Sequence, residues 1–459
     1  MAEALRQPDG AAERAAALSE RGVAALRAGR LDEALFLFDG AVALDPDLAL
    51  AHFNRGVTFK LLGRPQEELA AYERALELAP RLAEAHNGRG AALQALDRFA
   101  EALASYDRAL TLRPGYLDAR INRGVVLKEM RRVDASLADS AKALLLAPDN
   151  PEAHWNEAMC RLLVGDYPRG FAEYEWRWRR PPLNRVEWGF AQPLWQGNEK
   201  LEGRTILLHA EQGLGDTIQF CRYAPLAAAR GARVVLEVQP PLKTLLSRLD
   251  GVAEIVARGE TMPAFDLHCP LLSLPPAFGT TIDTVPARVP YLAAAPERAA
   301  YWRARFFGTP TPRIGLVWAG NRNHRNDRHR SIPLARLARL FTLGATVVSL
   351  QKDTRREDRA FLAAHPDVID AEDSLADFDD TAALIETLDA VVTVDTAVAH
   401  LAGALGKPTH ILLPCVGLDW RWHLGREDSP WYPTARLHRQ ASPGDWDGAI
   451  RSVSLALGG

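Results

Sequence analysis

Apolar and polar positions over the first 150 residues repeat with a fixed step. Glycines at 22, 56, 90 and 124 stand 34 residues apart, and prolines at 46, 80, 114 and 148 keep the same step. Between them lie paired helical patterns, and 34 residues is the length of one helix–turn–helix unit. The phase gives units 15–48, 49–82, 83–116 and 117–150. Each places a glycine at a close helix crossing (Gly22, Gly56, Gly90, Gly124). The second helix carries an aromatic at Phe38, Tyr72 and Tyr106, and three positions later a small residue packs at Ala41, Ala75, Ala109 and Ala143. Proline cannot continue a hydrogen-bonded turn, so it closes each second helix. The fourth unit is weaker, because Ser140 replaces the aromatic. A degenerate fifth unit, 151–184, keeps Ala158, Tyr174 and Pro182.

From residue 204 the period changes. Apolar runs at 205–210, 233–238, 252–256 and 265–268 predict strands, separated by helical patterns at 217–230 and 241–249, and the Pro/Thr-rich stretch 275–296 predicts loops. A second series has strands at 313–318, 345–350, 390–394 and 409–413, with helices at 334–341, 381–388 and 397–405 and a closing helix near 444–457. Strands alternating with helices make a parallel sheet covered on both faces. Two such units joined around 297–311 face each other across a cleft, where ligands bind beyond the carboxyl ends of the strands. The domains expected are therefore a helical cap (1–14), a helical array (15–184), a joint (185–203), and two α/β domains (204–296 and 297–459). Around the joint, Trp176, Trp178, Trp188 and Trp195 crowd with Pro181, Pro182 and Pro193, a composition that buries large area.

Phased repetition at several positions makes the first third resemble the tetratricopeptide repeat family. Stacked helix pairs bury one continuous core and leave a concave groove that suits a protein or peptide partner. Asn54, Asn122 and Asn156 are in phase, with Gly88 breaking the series. Their amides either bond the backbone of an extended peptide or bond neighbouring helix carbonyls. His52, His86 and His154 are also in phase, and with no Cys or second His at ligand spacing they suit helix packing, so no metal site is expected.

Composition narrows the classes. The 47% apolar content fills cores, and a net charge of −3 gives no basic footprint for nucleic acid. Cys160, Cys221, Cys269 and Cys415 match no metal or redox spacing and suit reduced thiols in a cytoplasmic protein. Glu3, Arg6, Asp9, Glu13 and Arg14 leave no signal-peptide apolar core, and no apolar run has membrane-spanning length.

Three stretches carry candidate chemistry. In DTAVAHLAGALGKP (395–408), Asp395 and Thr396 sit where a strand gives way to a helix, an arrangement that binds anions, and His400 lies one turn on. The alternative is that Asp395 caps and His400 packs. In GLGDTIQF (213–220), Gly213 and Gly215 allow a tight turn, Asp216 opens a helix, and Gln219 follows on the same loop-to-helix segment. A dinucleotide fingerprint with Glu237 as ribose partner fits poorly, because Ile218 stands where a third glycine is needed. NRNHRNDRHRS (321–331) follows a strand and offers phosphate-facing arginines, Arg330 first among them. Gln351 and Lys352 end a further strand. Asp419, Trp420, Arg421 and Trp422 form a dense polar-aromatic knot with no mechanism legible in sequence.

Through GLGDTIQF and DTAVAHLAGALGKP, residues 204–440 resemble the heptosyltransferase-like glycosyltransferases of family 9. The resemblance implies two facing Rossmann-like domains of the GT-B type and a nucleotide-diphosphate sugar as donor, with no other cofactor. It implies Asp216 as base, with Asp395, Thr396 and His400 holding the donor and Arg330 standing where a donor-binding lysine is common. Gln351 and Lys352 are further donor-side candidates; Gly213, Gly215 and Gln219 belong to the acceptor loop. Ala397 departs from the glycine usual after Asp-Thr. In layout the chain is also similar to protein O-linked N-acetylglucosamine transferases, without their motifs. The expectation is an inverting, metal-independent glycosyltransferase whose array recruits a protein acceptor. The alternative is a non-catalytic scaffold with a nucleotide-sensing α/β pair. The Asp377–Asp380 run precedes a helix and suits a cap better than a metal.

Overall fold

The computed structural model describes residues 9–183 and 189–458. Trp188, residues 1–8 of the expected cap and the 184/185 boundary lie outside the described residues. The chain divides into two compact units, Met1–Cys160 and Arg161–Gly459. Among the described residues no helix is long and apolar enough to cross a membrane.

The first unit is a helical solenoid: α1 (Asp9–Arg27), α2 (Leu31–Leu44), α3 (Ala49–Leu61), α4 (Pro65–Leu78), α5 (Ala83–Ala95), α6 (Phe99–Leu112), α7 (Leu117–Glu129), α8 (Val133–Leu146) and the start of α9 (Pro151–Leu163). Residues 9–14 continue the first repeat helix instead of forming a separate cap. The repeated glycines are steric necessities. A Cβ on Gly22, Gly56 or Gly90 would lie 2.6 Å from the ring of Phe38, Tyr72 or Tyr106. At Gly124 the nearest atom is Ser136 Oγ at 3.7 Å, because Ser140 leaves no ring to wedge in. The Tyr72 ring also fills the space over Gly88, which is why the asparagine series breaks there.

The phased histidines pin the joints. His52 Nε2–H donates to the carbonyl of Pro46 (2.9 Å), His86 to Pro80 (3.0 Å) and His154 to Pro148 (2.7 Å). Where the fourth unit lacks the histidine, Arg120 Nη2 donates to Pro114 (2.8 Å). Each proline ends a helix, and its carbonyl anchors the next one.

The second unit opens with α10 (Tyr167–Tyr174) and a 3-10 turn, Glu175–Arg179. A sheet follows of β1 (Thr205–His209), β2 (Arg233–Val238), β3 (Val252–Ala257) and β4 (Leu267–Pro270), all parallel, in the order β3-β2-β1-β4. Its helices are α11 (Leu214–Phe220), α12 (Ala224–Ala229), α13 (Lys243–Leu246) and α14 (Leu274–Ala277). The continuous helix expected over 217–230 is broken into α11, a 3-10 turn Cys221–Tyr223 and α12, which has Pro225 in its first turn.

Helix α15 (Pro296–Arg305) leads to β5 (Arg313–Val317), α16 (Asp327–Arg330), β6 (Thr346–Ser349), α17 (Arg356–Ala363), β7 (Ile369–Asp370) and α18 (Phe378–Glu386). Then come β8 (Ala390–Val394), α19 (Ala397–Ala404), β9 (Thr409–Leu413), β10 (Ala435–Arg439) and α20 (Asp447–Ala456). The order is β10-β9-β8-β5-β6-β7, all parallel, which is the Rossmann strand order. Strand order reverses between β1 and β4 in one sheet and between β5 and β8 in the other. The helix expected at 334–341 is a 3-10 segment, Leu334–Thr342. The Asp377 carboxylate accepts from the N–H groups of Asp379 and Asp380 (both 2.9 Å), so this acidic run does cap α18. Trp195 of the joint is buried against Phe278 and donates to the Glu199 carbonyl (3.0 Å).

Candidate active site

The loops after β1, β5 and β8 meet at these reversals. The Asp216 carboxylate takes a 2.8 Å bond from the Gly213 N–H, closing the first turn of α11. Its other oxygen forms a short ion pair with Arg421 Nη2. A Cβ on Gly215 would lie 2.8 Å from His400 Cδ2 and 3.4 Å from Ala397 Cα. Only glycine allows that approach, and it sets the start of α11 against the start of α19.

Opposite Asp216, Thr396 is the residue that precedes α19, its hydroxyl 3.2 Å from that of Thr393. Arg330 Nη1 donates to the Asp395 carbonyl (2.9 Å), and its guanidinium lies flat over Gly320, where a Cβ would meet Nη2 at 2.5 Å. Burial, with the Asp419 charge beside it, pushes Asp395 up to about 6. His400 stacks on Trp422 (centroids 5.4 Å apart) and pairs with the Tyr432 hydroxyl at 3.0 Å. Burial, helped by Arg421, holds the imidazole down to about 3, so it is neutral. Burial also raises Asp216, against the pull of Arg421 and with help from Asp419.

Gln351 and Lys352 are placed differently from expectation. Gln351 Oε1 accepts from the N–H groups of Trp318 (3.2 Å) and Ala319 (3.0 Å), and its Nε2 donates to the carbonyls of Ala319 (3.1 Å) and Lys352 (2.9 Å). Lys352 Nζ donates to the Glu372 carbonyl (2.9 Å). Both side chains hold backbone instead of facing a ligand. In the array, Asn156 Nδ2 donates to the Ile121 carbonyl and Asn122 Nδ2 to Asn87 Oδ1, both at 3.1 Å. Asn156 thus follows the helix-carbonyl alternative, while Asn54 is half-buried on α3.

The strap 419–423 is what sequence reasoning left unread. Asp419 caps the 3-10 turn Trp420–Trp422 through the Arg421 N–H (2.9 Å). Its residues reach α10, Asp216 and His400. The Trp420 ring packs on Tyr167 and Phe171 of α10 (centroids 6.0 and 5.5 Å), Arg421 reaches Asp216, and Trp422 covers His400. His423, at φ +55, meets the Tyr167 hydroxyl at 2.8 Å. Trp431 Nε1–H donates to that hydroxyl (2.8 Å), and burial holds His423 down to about 4, so Tyr167 donates to His423 Nε2. Behind α10, fully buried Arg177 pairs with Glu211 (Nε to Oε2 3.1 Å, Nη2 to Oε1 3.0 Å), just beyond β1. Glu211 also accepts from the Leu272 N–H at 3.1 Å, beyond β4.

Comparison with known proteins gives matches to tetratricopeptide repeat models at residues 1–49, 21–83 and 83–116. A model described as glycosyltransferase family 9 (heptosyltransferase) matches residues 375–412. Protein FlbA of Caulobacter vibrioides is 28% identical over 327 residues, covering 65% of this chain and 54% of its own length, so the chain spans about half of that relative. Among solved structures, pilF of Pseudomonas aeruginosa is 25% identical at a TM-score of 0.34, over 36% of this chain and 76% of its own. The type IV pilus biogenesis factor PilW is 22% identical at a TM-score of 0.35, over 38% and 79%. The chain thus carries tetratricopeptide repeats in its N-terminal region and, in its C-terminal α/β region, a segment that matches the glycosyltransferase family 9 model over α18, β8, α19 and most of β9.

Proposed function

We propose that this protein transfers a sugar from a nucleotide-diphosphate donor to a hydroxyl of a protein acceptor recruited by the array, through a GT-B-type pair of domains. The observation that carries the reading is the approach of Gly215 to His400 and Ala397, which sets Asp216 beside the tip of α19. In the step proposed, the acceptor oxygen bonds to the anomeric carbon as the bond from that carbon to the diphosphate oxygen breaks, with inversion. The hydroxyl proton passes to Asp216, and the nucleoside diphosphate leaves as an anion. The α19 N–H groups, Thr396 and Arg330 stabilise that anion, and the raised Asp216 carboxyl is a better base than a solvated one. Neutral His400 walls the site without adding charge. The step is proposed without a metal; the capping of α18 by Asp377 supports the reading of that acidic run as a cap.

The test is incubation of the full chain with UDP-, GDP-, ADP- and CDP-linked sugars, with and without a chelator, following sugar release. Wild type should release sugar from one donor class with or without chelator, and Asp216→Asn should abolish release while nucleotide binding survives. Full turnover by Asp216→Asn refutes the base. Nucleotide binding without any release favours the sensing scaffold, a reading supported by the engagement of both Asp216 oxygens by Gly213 and Arg421.

A further inference from the structure

Arg421 divides its hydrogen bonds unequally. Nη1 reaches both oxygens of Asp419 (3.1 and 2.9 Å), two residues away on the same strap, and Nε donates to Gln219 Oε1 (2.5 Å). Only Nη2 reaches Asp216. Asp419 is a local chelating partner held by chain geometry, whereas Asp216 arrives from the other sheet. Gln219 is fully buried, and its Nε2 donor, next to the same guanidinium, has no hydrogen-bond partner among the described residues. A desolvated donor without an acceptor is a costly group to keep unless something fills the place. The charge of Arg421 is felt at both Asp395 and His400, so it lies within range of the α19 tip.

We propose that Arg421 is itself a ligand of the donor diphosphate, and that the diphosphate displaces Asp216 from Nη2. The proposal rests on the donor reading above and deepens it. A guanidinium fork favours phosphate oxygens, and Asp419 keeps Arg421 aimed while one partner is exchanged for another. While Arg421 holds it, the Asp216 oxygen that would meet the acceptor hydroxyl is occupied. After the exchange its oxygen is free for the acceptor hydroxyl, and Gln219 Nε2 has an anion within reach. No covalent bond changes; one anion replaces another on a shared cation. Donor therefore binds before acceptor chemistry can begin, and futile deprotonation in the empty site is suppressed.

Calorimetric titration of the full chain with UDP, GDP, ADP and CDP tests this. Wild type is expected to bind one of them. Asp216→Asn should bind it about five- to tenfold tighter, because the competitor is gone, and Arg421→Gln should bind it about tenfold weaker. The double variant should match Arg421→Gln. Equal tightening by Asp216→Asn in the Arg421→Gln background would mean mere loss of a negative charge, and overturns the exchange. No tightening in Asp216→Asn overturns it too, while the donor reading stands. If none of the four binds wild type, the donor reading fails and the exchange with it. Should Arg421→Gln not fold, Arg421→Lys replaces it in the cycle. A single ammonium cannot hold Asp419 by two points, so the gain from Asp216→Asn should shrink there.

Discussion

The Tyr167 hydroxyl joins α10 to the strap: it donates to His423 Nε2 at 2.8 Å and accepts from Trp431 Nε1 at 2.8 Å. Tyr167→Phe leaves two buried groups unpaired, for a loss of about 2 kcal/mol. It also frees a residue held at φ +55, a conformation that needs its surroundings to enforce it. The urea midpoint should fall, and donor-dependent sugar release should fall more than stability alone accounts for. An unchanged midpoint would show that the bonds carry no weight.

Repeat glycines should respond according to what faces them. Gly56→Ala puts a methyl 2.6 Å from Tyr72 and should destabilise by about 1–3 kcal/mol through overpacking. Gly124→Ala meets nothing closer than 3.7 Å and should be neutral, or stabilising by up to about 1 kcal/mol from helix propensity. Thermal unfolding of both variants checks the contrast; equal losses would remove the steric explanation of the period.

The buried Arg177–Glu211 pair should be worse broken than removed. Glu211→Gln leaves a fully buried guanidinium without its bidentate carboxylate, at a cost of about 3 kcal/mol. Arg177→Met with Glu211→Leu should lose less than that. A double variant less stable than Glu211→Gln in denaturant titration contradicts this.

Acid should weaken the second unit early. His209 and His400 are held to about 3, and His410, His423 and His438 to about 4, burial being the first cause in each. A depressed imidazole contributes stability that is present above its unfolded value, near 6.5, and lost as pH falls toward its folded value. Each adds a slope of up to about 1.4 kcal/mol per pH unit in that window. Glu211, Asp216 and Asp395 are raised, first by burial, and act in the opposite sense. With His268 and His324 also depressed, burial again the first cause, seven imidazoles against three carboxyls leave a net loss, so the urea midpoint followed by tryptophan fluorescence should drop between pH 7.5 and 5.5. A flat profile would contradict these shifts.

The parts legible in sequence were those with strong local signals. The array was legible by phase because Gly22, Gly56 and Gly90 each answer a ring 16 residues on, as Gly56 answers Tyr72. Central strands such as β8 were legible because they are buried throughout. β10 was missed because Arg436, His438 and Arg439 interrupt its apolar pattern, and α17 because it is short and largely polar. Asp216, Asp395, Thr396, His400 and Arg330 were singled out as candidates through glycine turns and strand ends, and the fold brings the start of α11 against the start of α19. Arg421 was not, because its partners Asp216 and Gln219 lie more than 200 residues away and no spacing announces them. Gln351 misled for the converse reason: a polar residue at a strand end was read as a ligand contact when it was closing the backbone.

The proline carbonyls that anchor each following helix make every joint in the solenoid self-sufficient, since donor and acceptor lie six residues apart across the same turn. A whole 34-residue module can therefore be duplicated or excised by recombination without breaking a bond between distant repeats. Helix α10 has no such liberty, because Tyr167 and its neighbours answer to side chains more than 250 positions downstream. Evolutionary tinkering with array length is expected to happen upstream of α10, leaving that last helix unchanged while the reach of the solenoid varies.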